Sequence, residues 1–149
     1  MTNDAVVLAT RFELGLAGYD ELSDFVDRRI VEGARVEGEL LELATPLHLP
    51  IDDVSSRLER LGGETPARAA AMRVLVVAKL LDEGTLTLER AVHYLAVRVA
   101  PQLPEPLDAT CGGLDDILAL AVRGTYGTTE MVAQALRALA DDCAFFLAS

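Results

Sequence analysis

The sequence predicts an all-α protein: a single domain over residues 1–149, with seven to eight helices around a central apolar helix at residues 66–83. Three observations predict it. Apolar residues recur at spacings of three and four along most of the chain, and no β-rich alternating stretch or Asn-Gly hairpin interrupts them. Glycine and proline fall between these stretches, with Thr or Asp placed to start the next helix. The hydrophobic fraction is 51%, mostly Ala, Leu and Val, with 5% aromatics and no Trp, a composition suited to closely packed helices.

Each element follows in order. Residues 4–17 read as a first helix with Val6, Leu8, Phe12 and Leu16 toward the core, broken by Gly18. A second, Tyr19 to Glu32, has Leu22, Phe25, Val26 and Ile30 on one face and Asp20, Asp24 and Asp27 on the other. Residues 36–44 make a short third helix carrying Glu37, Glu39 and Glu42. After the loop 45–50, with its two prolines, a fourth helix spans Ile51 to Leu61, with Asp52 and Asp53 at its positive N-terminal end.

The central helix has its own start and stop. Thr65 suits the N-cap, Pro66 the first helical position, and Gly84 the left-handed closing residue. Ala70, Ala71, Val74, Leu75, Val77, Ala78 and Leu81 cover more than one face, so this helix should be packed on most sides. Thr87 caps a sixth helix that runs to Val99. Residues 101–106, with three prolines, read as a stiff crossover. Cys111 is expected in a loop before Gly112–Gly113, with a seventh helix at residues 114–123. Thr128 caps the last helix, whose inward face is Val132, Ala135, Leu136, Leu139, Cys143, Phe146 and Leu147.

At 149 residues roughly 70% of the unfolded surface can be buried, so no metal or disulfide is needed for folding. No signal peptide is visible, and Cys111 and Cys143 fit neither C-x-x-C nor a zinc spacing. A reducing cytoplasm is the expected location. Twelve Arg against one Lys point to a GC-rich bacterial genome.

Catalytic constellations are missing. Glu89 and His93 stand four apart, whereas the di-iron motif needs Glu and His three apart on two helices. His48 and His93 with two unpaired cysteines do not make a zinc site. There is no G-x-S-x-G, no Walker loop and no G-x-G-x-x-G. No catalytic residue, metal or cofactor is expected. The enzyme or small-ligand alternative would rest on an interhelical pocket lined by His93, Tyr94 and Tyr126. A helical adaptor with an incidental acidic face is the third reading.

Charge is the distinctive feature. The net charge is -11, and residues 1–64 hold 14 acids against 6 bases. No Lys or Arg lies between Arg35 and Arg57, a tract with Glu37, Glu39, Glu42, Asp52 and Asp53. With Asp20, Asp24 and Asp27 these make the candidate binding face. Such a surface repels nucleic acid and anionic membranes and attracts a basic protein. Its other reading is a solvated outer face that keeps the chain soluble.

Glu13-Leu14-Gly15-Leu16, Phe25-Val26-Asp27 with Ile30, and Leu40-Leu41-Glu42-Leu43-Ala44 resemble the opening of small all-helical bacterial proteins of toxin-immunity families. Gly124-Thr125-Tyr126-Gly127-Thr128 is similar to their C-terminal part, and Phe25 stands near the place of a tryptophan often found on their second helix. The resemblance covers about half the chain. It implies an acidic, non-catalytic inhibitor that covers the active site of a basic toxin.

Overall fold

A computed structural model describes residues 3–33, 38–44 and 49–149, the side chains of Glu39 and Leu41 excepted. The described residues form eight α-helices, one π-helical turn and one 3-10 turn, with no strand among them. None of these helices is long and apolar enough to cross a membrane. The fold is all-α, and its contacts gather into two compact units, Asn3–Glu64 and Thr65–Ser149.

The first unit holds α1 (Asp4–Glu13), α2 (Tyr19–Val31), α3 (Gly38–Leu43) and α4 (Ile51–Gly62). α1 packs along α4, and α3 packs against both α2 and α4. The core between them includes Leu8, Phe12, Leu22, Phe25, Leu43 and Leu58. Asn3 ties two helix ends together. Its Oδ1 accepts from the N–H of Ala5 at 2.9 Å and of Val6 at 3.4 Å, capping α1. Its Nδ2 donates to the carbonyl of Gly62 at 2.7 Å, satisfying the last turn of α4. A Cβ at position 62 would lie 3.0 Å from that Oδ1, which is why glycine suits this close approach.

α1 ends four residues before the expected 17, at Gly15 rather than Gly18. Gly15 has φ 72°; its N–H bonds to Phe12 O at 3.0 Å and that of Leu16 to Arg11 O at 2.8 Å. This paired closure needs the left-handed residue that glycine adopts without a Cβ clash.

The second unit holds α5 (Pro66–Asp82), α6 (Leu88–Tyr94), the π-helical turn Leu95–Val99, the 3-10 turn Ala100–Gln102, α7 (Leu107–Val122) and α8 (Thr129–Ala148). Thr65, Thr87 and Thr128 cap α5, α6 and α8 through their side-chain oxygens, as the sequence predicts. Residues 69–74 of α5 are buried without a break, about one and a half turns of helix. That run includes Arg73, 5% exposed. α5 packs on α8, α7 packs on α8, and the π-helical turn packs on both α5 and α7.

The expectation for Cys111 and the start of the seventh helix is corrected here. Cys111 is buried inside α7, and Gly112–Gly113 lie in the middle of that helix. Neither glycine has positive φ, so neither acts as a helix stop. The sixth helix does reach Val99, but its last turn widens: the N–H of Ala100 bonds back five residues to Leu95 O. Pro101 follows, with no N–H to give and a ring that crowds the preceding turn, and the wider turn makes room for it.

Candidate partner-binding groove

α1 and α2 leave a groove of about 640 Å³ between them. Asp4, Val7, Leu8 and Arg11 form the α1 wall; Glu21, Asp24, Phe25, Asp27 and Arg28 form the α2 wall. On α1 the lining residues follow i, i+3, i+4, i+7, and on α2 Glu21, Asp24, Phe25 and Arg28 do the same, with Asp27 at the edge of that face. Leu8 and Phe25 make a nearly covered floor, at 7% and 3% exposed, and Val7 is half-buried above it. The guanidinium of Arg29 lies 5.0 Å from the centroid of the Phe25 ring.

The charges are unevenly satisfied. Arg11 donates to Leu16 O at 3.0 Å and pairs with Glu21 at 3.3 Å, closing the end beside the α1–α2 connector. Asp4, Asp24 and Asp27 are exposed and make no ion pair with a described residue. Arg28, also exposed, is the counter-charge left on the lining. The groove is therefore net-acidic at its rim and apolar at its floor.

The eight acidic positions singled out from the sequence separate. Asp24 and Asp27 line the groove. Asp20 is exposed in the first turn of α2, where Gly18 offers no side-chain cap and the carboxylate complements the helix dipole. Asp52 and Asp53 are exposed in the first turn of α4, where Pro50 likewise gives no side-chain cap. Glu42 is exposed but pairs with Arg57 at 2.6 Å. Glu37 lies outside the described residues, as does the side chain of Glu39. Asp4, Glu21, Arg11 and Arg28 were not singled out from the sequence. Their signal there is a face of α1 that mixes an acid and a base with apolar residues, readable only once α2 is known to stand opposite.

Tight binding needs a buried anchor as well as charge, and Tyr19 and the loop Leu47–His48–Leu49 are the candidates in the sequence. Tyr19 is already committed: its hydroxyl donates to Leu49 O at 2.6 Å and its ring meets Phe12 edge-on at 5.9 Å. Leu47 and His48 lie outside the described residues.

Groups with reactive side chains elsewhere differ in burial and partners. Ser55 is buried and donates to Glu13 Oε2. Cys111 and Cys143 are free and buried, and burial pushes both thiols up to about 12. The Cys111 thiol donates to Leu95 O at 3.3 Å. His93 is exposed, Tyr94 is 4% exposed and Tyr126 is 70% exposed. Among the described residues no group of three His, Cys, Asp or Glu side chains is placed to hold a metal ion.

No protein-family model, curated protein or solved structure matches the chain.

Proposed function

We propose that this protein binds a basic protein partner through the acidic surface of its first unit, as an immunity protein would bind and occlude a basic toxin. The observation that carries the reading is the groove rim: Asp4, Asp24 and Asp27 converge there without an ion-pair partner among the described residues. Carboxylates left unpaired on one surface attract a basic protein over distance and raise its association rate. The same surface disfavours nucleic acid and anionic lipid. Two unpaired cysteines suit a reducing cytoplasm.

The test starts with the partner recovered by pull-down from the native host. Its association rate with wild type is compared with that of Asp20→Lys/Asp24→Lys/Asp27→Lys over a salt series. The variant should associate at least tenfold more slowly at low salt and respond less to added salt, because screening at 0.15 M cuts interactions beyond about 8 Å. Wild-type rate and salt dependence in the variant would show that these charges only keep the chain soluble.

A further inference from the structure

We infer that the groove between α1 and α2 seats one amphipathic, basic helix of the partner. The inference rests on the proposed binding of a basic partner and adds which surface receives it and in what form.

The geometry of the walls points to a helix. Each wall is built on an i, i+3, i+4, i+7 face of an α-helix, with Asp27 at the edge of the α2 face, and the two faces flank an open channel of about 640 Å³. An open channel walled by helices, with an apolar floor and a charged rim, suits an amphipathic helix. A helix laid there meets the half-buried Val7 above the nearly covered Leu8 and Phe25, which favours an apolar inward stripe. Its flanks meet Asp4 on one side and Asp24 and Asp27 on the other. Those carboxylates make no ion pair with a described residue, so flanking Lys or Arg side chains would find acceptors without displacing an existing pair. Arg11 is held by Glu21 and Leu16 O and stays out of the exchange. An extended strand would need backbone donors and acceptors along the groove, and both walls are helices whose backbones bond internally.

The probe is a synthetic helix of Leu and Lys, with Leu at i, i+3, i+4 and i+7, labelled for fluorescence anisotropy against the full chain. Its control has Ser in place of each Leu and the same charge. Wild type should bind the Leu/Lys helix at least tenfold more tightly than the Lys/Ser peptide. Val7→Trp puts bulk into the channel and should erase that preference. Val7→Ser, which keeps the channel open and removes its half-buried apolar side chain, should reduce the preference. Asp24→Lys/Asp27→Lys should weaken both peptides at least tenfold, and Asp115→Lys/Asp116→Lys on α7 should weaken neither. Circular dichroism checks that each variant is folded. Equal wild-type affinity for the two peptides would overturn the groove and leave the acidic-surface reading standing. Unchanged preference in both Val7→Trp and Val7→Ser would do the same. Failure of wild type to bind either peptide at low salt would overturn both.

Discussion

Cys111 and Cys143 show what burial does to a titrating side chain. Each thiol is raised from 9.0 to about 12, first by desolvation, then by a neighbouring negative charge: that of Cys143 on Cys111 and of Asp142 on Cys143. The folded chain therefore keeps both protons in a window where the unfolded chain releases them. Between about pH 9 and 12 stability falls as pH rises, by up to about 1.4 kcal/mol per pH unit for each thiol, and below pH 9 their contribution is constant. Urea denaturation of wild type and of Cys111→Ala/Cys143→Ala at pH 8, 9 and 10.5 tests this. The double variant starts from a lower stability because of the cavities it leaves, and it should lose less of that stability between pH 9 and 10.5. Parallel losses would place the alkaline sensitivity elsewhere. Iodoacetamide at pH 8 gives an independent reading. The folded protein should label slowly, since the thiolate is the nucleophile, and two sites should open together on unfolding.

At the scale of the element, α5 and α7 make opposite predictions. Val74 of α5 is fully buried within the unbroken run 69–74, so Val74→Asp sets an unpaired charge in the core and should abolish cooperative folding. A soluble Val74→Asp variant with a normal melting transition would contradict the packing. Gly113 sits inside α7 with ordinary helical backbone, and a Cβ added there meets nothing within 4 Å. Gly113→Ala should raise stability by about 0.5–1 kcal/mol, read from its urea midpoint.

The same two helices show which part of the fold was legible. The start of α5 was readable because Thr65, Pro66 and the turn they make are local chemistry. The start of α7 was not. A glycine pair reads as a stop only where φ is positive, and nothing in the neighbouring residues distinguishes a stop from a glycine within a helix. The bond from Asn3 to Gly62 was equally hidden, because it joins residues 59 apart in the chain. At the groove, Asp24 and Asp27 were visible as one face of α2. Asp4 and Val7 became part of the site only through the tertiary placement of α1.

For the whole molecule the governing quantity is charge. The chain carries 24 acids against 13 bases, with the larger excess on residues 1–64. That excess falls on the unit Asn3–Glu64. Like charges held at this density oppose compaction. Exposed ion pairs offer little in return: Lys79–Glu83, Arg137–Asp82 and Arg137–Glu130 are of this kind, and such pairs contribute about 0–1 kcal/mol. Sodium chloride screens both repulsions and attractions, and with 24 acids against 13 bases the net effect of screening is to relieve repulsion. Tm should therefore rise by several degrees between 10 and 300 mM sodium chloride, amounts low enough to keep exclusion effects of the salt small. Asp24→Asn/Asp27→Asn should raise Tm at 10 mM and lessen its response to added salt, because it removes two charges from the more acidic unit without removing an ion pair described in the structure. A Tm that falls with sodium chloride would mean that the ion pairs outweigh the repulsion. The acidic face would then be a stabilising network, and its carboxylates would not be available for a partner.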